Sequence, residues 1–170
     1  MKFRLLYLLP AIFLAGCGDL LTLHALYTPE DQVFDPAMEG RWENKDNIAV
    51  ISRNGDYYEM TLSGRGPAAT TSKWEVHLVD IHGLRFADIL PADQIGHMIV
   101  RVKTEGGKLR VAFMDTDWLR AHVPHEEADI ERNRKQAVLT LKTPQLQSMT
   151  AKYALEPKAY DKEIEFQKVR

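Results

Sequence analysis

Between Asn47 and Asp115 the chain alternates apolar and polar residues in six short runs separated by turn signals. Period-two alternation is the mark of half-buried strands, and short loops force consecutive strands to lie antiparallel. Asn47–Ser52 carries Ile48 and Val50 at alternate places. Arg53-Asn54-Gly55 reads as a three-residue hairpin loop with Gly55 in the left-handed position. Tyr57–Ser63 then sets Tyr58, Met60 and Leu62 on one face. That loop length predicts Val50 opposite Tyr58 and Ile48 opposite Met60, with the apolar faces coinciding.

Ser72–Ile81 and Leu84–Leu90 flank His82-Gly83. A two-residue turn there places Asp80 opposite Arg85 and His77 opposite Asp88, pairs of the kind that support a sheet. Both faces of this hairpin are apolar: Trp74, Val76 and Leu78 on one, Val79, Ile81, Leu84 and Phe86 on the other. Something besides the strands' own interior must cover the second face. His97–Lys103 turns Met98, Val100 and Val102 inward, with Arg101 and Lys103 outward. Lys108–Asp115 turns Leu109, Val111 and Phe113 inward after the Glu105-Gly106-Gly107 turn.

Gly40–Asn44 adds an opening strand. Beyond Asp115, Asp115 or Thr116 caps a short helix through Trp118, Leu119 and His122. His125–Gln136 is charged and poor in apolar residues, as in a solvated segment. Ala137–Lys142 alternates again. Thr143-Pro144 fits a helix start, with Leu146, Met149 and Tyr153 as the apolar stripe and Pro157 beyond its end. Glu163–Val169 is a closing strand. The fold class is mainly β: an antiparallel meander of about eight strands, closed or half-open as a barrel, with a late helix.

Gly40-Arg41-Trp42 at the first strand resembles the Gly-x-Trp signature of lipocalins. The resemblance implies a lipocalin-like (calycin) barrel with Trp42 plugging one end. Thr116-Asp117-Trp118 is similar to that family's later Thr-Asp-Tyr motif, although here it opens a helix.

The N-terminus carries a second resemblance. Lys2 and Arg4 precede an apolar run, Leu5–Leu14, too short for the ~20 residues that span a bilayer. Small residues follow, then Cys17, the single cysteine of the chain. Basic residues, a short apolar run and small residues make a signal peptide. Leu14-Ala15-Gly16-Cys17 resembles the lipobox of bacterial lipoproteins. The resemblance implies cleavage before Cys17 and acylation of its thiol and amine, which anchor the chain to a membrane. Several acyl chains hold where one does not. Gly18 rather than an aspartate after Cys17 implies the outer membrane, on its periplasmic face. The expected organisation is a signal peptide at 1–16, lipidated cysteine and tether at 17–38, and one β-barrel-like domain at 39–170.

Cutting sixteen residues from 170 leaves 154, which suits one domain. The basic residues fall from 22 to 20 against 24 acidic ones, a formal charge of −4. No basic cluster marks a nucleic-acid partner. With one cysteine an internal disulfide is impossible. No phosphate loop, dinucleotide fingerprint or nucleophile elbow occurs. His122-x-x-His125-Glu126 has metal-ligand residue types, but Pro124 interrupts it and zinc needs three or four ligands. His77 facing Asp88 has the form of an oriented base without a nucleophile beside it. No catalytic residue, metal site or cofactor is expected, and the chain is not expected to be an enzyme.

The inward aromatic and apolar positions Trp42, Tyr58, Met60, Trp74, Val100 and Phe113 are candidates to line a ligand site. The expected role is a membrane-anchored envelope lipoprotein that binds a small hydrophobic or amphipathic ligand. The alternative is an assembly lipoprotein that docks an envelope protein through the two-sided Trp74–Leu90 hairpin.

Overall fold

The computed structural model describes residues 20–92, 95–124, 137–160 and 162–169. Its centre is a closed antiparallel barrel of eight strands. In chain order the strands are β1 (Leu20–Thr22), β2 (Gly40–Glu43), β3 (Asn47–Asn54), β4 (Tyr57–Gly64), β5 (Thr71–Ile81), β6 (Leu84–Pro91), β7 (Met98–Glu105), β8 (Lys108–Phe113), β9 (Ala137–Leu139) and β10 (Lys162–Val169). The barrel runs β2 to β8 as a meander, and β10 closes it between β8 and β2. The helices are α1 (Thr116–His122) and α2 (Thr143–Tyr153). β1 and β9 form a separate parallel pair outside the barrel.

The pleat sorts the apolar residues into two cores. Trp42, Ala49, Ile51, Tyr58, Val76, Leu78, Ala87, Val100, Val102, Leu109 and Phe166 fill the barrel. The second core lies on the outer side of β5–β8, where Val79, Ile81, Phe86, Ile99 and Ala112 meet Leu20, Leu26, Leu119, Leu139, Leu146, Met149 and Tyr160. The two-sided hairpin is therefore covered by the chain's own α1, β9, α2 and N-terminal segment. Leu146 and Met149 of α2 are buried, as the helical stripe requires.

The turn at His82-Gly83 holds as expected. Both residues have positive φ, 55° and 80°, the geometry of the tight turn that matches strand twist. Its register sets Asp80 opposite Arg85 and His77 opposite Asp88. Asp115 caps α1 by accepting the Trp118 N–H at 2.7 Å. At α2 the cap position is Lys142 instead of Thr143, and the helix includes Thr143.

The β3–β4 register differs from expectation. Asn54 pairs with Tyr57, Ile51 with Met60 and Val50 with Thr61. The loop is the two residues Gly55-Asp56, with Gly55 at φ 64°. The shift is odd, so the inward set flips to Ala49 and Ile51 and leaves Val50 exposed. Asn47–Ser52 carries apolar residues in both parities, so the strand alone does not choose its face.

The segment expected as a tether up to residue 38 is packed from Leu20 onward. β1 pairs with β9, and Thr22 and His97 exchange backbone hydrogen bonds at 2.8 Å each. Leu26 is fully buried. Val33 donates its N–H to the Leu78 carbonyl at 2.9 Å. The chain then crosses one barrel end as a 3-10 turn, Pro36–Met38. Its leucines are needed to cover the outer face of β5–β7, which explains why a stretch bearing Pro29 and Pro36 is not a free linker. We call residues 20–38 the strap.

Candidate functional site

The six residues expected to line a ligand site do come together. Trp42, Tyr58 and Val100 are buried in the barrel core, and Met60, Trp74 and Phe113 pack against it. Trp42 donates its indole N–H to the Met38 carbonyl at 2.8 Å, and Lys168 Nζ lies 5.0 Å from the centre of its ring. The Tyr58 hydroxyl accepts from the Asp35 N–H at 2.8 Å. These contacts fasten the strap across the barrel end. Trp74 Nε1 is enclosed without a hydrogen-bond partner among the described residues. The six therefore serve as packed core around the barrel axis.

A cleft of about 390 Å³ opens elsewhere, at the seam of β6 and β7. The ladder between these strands runs from Ile89–Met98 to Phe86–Arg101 and stops there. Beyond it, Leu84 and Arg85 diverge from Val102–Thr104, and the wall parts. The apolar floor is Met38, Leu84, Val102 and Ala112; Asp35, which accepts from Thr104 Oγ1 at 3.1 Å, closes the inner side. None of the six expected residues lines it.

The rim is cationic. Arg85, Arg101, Lys103 and Arg110 outnumber Asp35 and Glu163 among the lining residues. Alternation from Val100 and Val102 turns Arg101 and Lys103 to the outer face. Lys103 stands directly opposite Arg110 across β7 and β8, an unfavourable like-charge pairing unless acids offset it. Glu105 holds Lys103 at 2.7 Å, and Glu165 holds Arg110 at 3.1 Å. Arg101 instead donates to the Ala154 carbonyl at 2.9 Å and lies 4.8 Å from the Tyr160 ring centre. Among the described residues its guanidinium meets no carboxylate.

A second polar group lies beneath the strap, on the outer side of the barrel. Asp88 is fully buried and accepts from the Leu26 N–H at 2.6 Å and from His97 Nδ1 at 2.7 Å. The hydrogen bond to Asp88 holds His97 above its ordinary pKa, against the opposing effect of burial. His77 faces Asp88 in register, but its ring nitrogens lie 2.5 Å from Gln32 Oε1 and 2.7 Å from Glu75 Oε1. Tyr27 stacks on its ring at 3.8 Å. Three strap residues, Leu26, Tyr27 and Gln32, thus satisfy a polar cluster that would otherwise be buried alone.

His122 Nδ1 donates to the Trp118 carbonyl at 2.9 Å and its ring stacks on Trp118. His125 and Glu126, the other members of that sequence motif, lie outside the described residues. Cys17, the lipidation candidate, lies outside them too.

Sequence reasoning missed Arg85, Arg101, Lys103 and Arg110. Outward Arg101 and Lys103 were readable from the alternation, and a two-residue Gly106-Gly107 turn puts Arg110 opposite Lys103. The parting of β6 from β7 had no sequence signal.

The fold and the site define a small closed antiparallel β-barrel with a second core on one wall and a cation-rimmed cleft in that wall. No protein-family model, no curated protein and no solved structure matches the chain.

Proposed function

We propose that the chain is an envelope lipoprotein, anchored through acyl chains on Cys17 at the periplasmic face of the outer membrane. Its non-enzymatic role is to bind a small hydrophobic or amphipathic ligand. The cleft at the β6–β7 seam carries this reading. It joins an apolar floor to a polar rim, and its volume of about 390 Å³ falls within the size range of small-molecule sites. The barrel axis is filled by Trp42, Tyr58 and Val100, so the cleft replaces the axis as the place for a ligand. The docking alternative loses the feature that motivated it, because the outer face of β5–β6 is covered from within the chain.

Native mass spectrometry of a soluble version beginning at Gly18, expressed in bacteria, tests the reading. A retained small molecule that is lost on substituting Val102→Trp to fill the floor is the expected outcome. A protein that carries no ligand and takes up none from envelope lipid extracts contradicts it.

A further inference from the structure

Only Gly18 and Asp19 separate Cys17 from Leu20, which is already buried. Three residue steps reach at most about 10 Å. An anchor on Cys17 therefore cannot hold the body at a distance: the wall that bears β1 stays within that reach of the bilayer.

The direction of β1 says which part of the wall is nearest. Thr22 of β1 bridges antiparallel to His97, the residue before β7. Read from Thr22 back to Leu20, β1 runs from the level of His97 toward Ile99. Leu20 and Ile99 share the outer core. The same line continued along β7 leads to Arg101 and Lys103, on the rim of the cleft.

We propose that this wall lies against the membrane that holds the anchor, with Arg101, Lys103 and Arg110 facing anionic lipid headgroups and the cleft opening toward the bilayer surface. The proposal rests on the reading of Cys17 as acylated. Charge complementarity supports it. Four cations rim the cleft against two lining acids; Lys103 and Arg110 are offset by Glu105 and Glu165, and Arg101 has no carboxylate partner among the described residues. The surface potential of a membrane decays over roughly 8–10 Å, so the rim cations feel it only where this wall itself lies at the surface. A cleft so placed takes its amphipathic ligand from the bilayer.

The test uses the full chain, processed and purified from bacterial membranes. The mass of its N-terminal peptide reports acylation of Cys17. Cys17 is the only cysteine, so with its thiol acylated Glu105→Cys supplies the one free thiol and leaves the three cations in place. Because Glu105 is the acid bridged to Lys103, the control is Val50→Cys in a Glu105→Gln background, on β3, four strands from β7 in either direction around the barrel. Each is labelled with an environment-sensitive fluorophore and reconstituted into vesicles of phosphatidylethanolamine and phosphatidylglycerol carrying a spin-labelled quencher lipid.

The expected result is quenching at position 105 about twofold stronger than at position 50, and a smaller difference when phosphatidylcholine replaces phosphatidylglycerol. Equal quenching at both positions in an acylated protein overturns the proposal and leaves the anchor standing. A label at 105 shielded from both the lipid quencher and aqueous iodide means that a protein covers that wall, and also overturns it. An unacylated N-terminus overturns both readings.

Discussion

Asp88 and His97 meet at 2.7 Å on the outer wall of the barrel, and the other carboxylate oxygen of Asp88 accepts the Leu26 N–H at 2.6 Å. One buried carboxylate thus ties the β6–β7 pair to the strap. Removing it as Asp88→Ala leaves the Leu26 amide and a half-buried imidazole without their acceptor. Breaking one partner of such a pair costs roughly 3–5 kcal/mol. Urea unfolding is expected to show that loss, and hydrogen exchange to show it first at Thr22 and Leu26. A loss under about 1 kcal/mol contradicts the clasp.

The same contact gives a pH dependence. The folded pKa of His97 is raised above its ordinary value of 6.5 by the hydrogen bond to Asp88. A group with a raised folded pKa contributes its stability fully below the unfolded value and loses it as pH rises through the folded value. Stability at pH 6 is therefore expected to exceed that at pH 9, and His97→Gln to flatten the slope. A melting temperature that climbs across this window in the parent, with no change of slope in the variant, contradicts it.

The β3–β4 register separates two neighbouring residues. Ile51 is buried at 3% exposure and Val50 is 42% exposed. Ile51→Ala is expected to cost roughly 2–5 kcal/mol, and Val50→Ala to stay within about 0.5 kcal/mol. Equal costs, or the reverse order, contradict the Gly55-Asp56 turn. Chemical denaturation of the two variants decides.

Among the described residues the buried Tyr160 hydroxyl has no hydrogen-bond partner, and burial drives its phenol pKa upward. The phenyl ring alone makes the contacts with Phe86 and Arg101. Tyr160→Phe removes a desolvated group and keeps the shape. It is expected to leave stability unchanged or raise it by about 1 kcal/mol. A marked loss reveals a partner for the hydroxyl.

Cys17→Ser tests the proposed anchor. The expected product keeps residues 1–16, carries no acyl chain and has a higher mass at its N-terminus than the processed parent. Normal cleavage and membrane retention of that variant contradict acylation at Cys17.

The meander was legible because each hairpin from Thr71 to Phe113 had one clean apolar parity per strand or a turn of fixed length. Val76 and Leu78 inward, Val79 and Ile81 outward, and His82-Gly83 between the strands left one register. Asn47–Ser52 had apolar residues on both faces, and its loop could close at two lengths. The strap was illegible for a different reason. Its Thr28-Pro29 and Asp35-Pro36 steps look like a linker, and only the outer face of β5–β7 gives Leu20 and Leu26 something to bury against. The six interior residues were readable as inward. Their packing around the axis, and the parting of β6 from β7, depend on three-dimensional closure that no local pattern encodes.

The strap also makes the proposed anchor and the barrel mouth one mechanical series. A pull transmitted through Cys17 reaches β1 first, where hydrogen bonds to β9 and the Thr22–His97 bridge resist it side by side. It then meets the clasp at Asp88, the stacked pair of Tyr27 and His77, and last the 3-10 turn whose Met38 floors the cleft. Under the proposed anchoring, tension at the bilayer would be spent in the wall before it reached the opening, and the mouth would keep its shape.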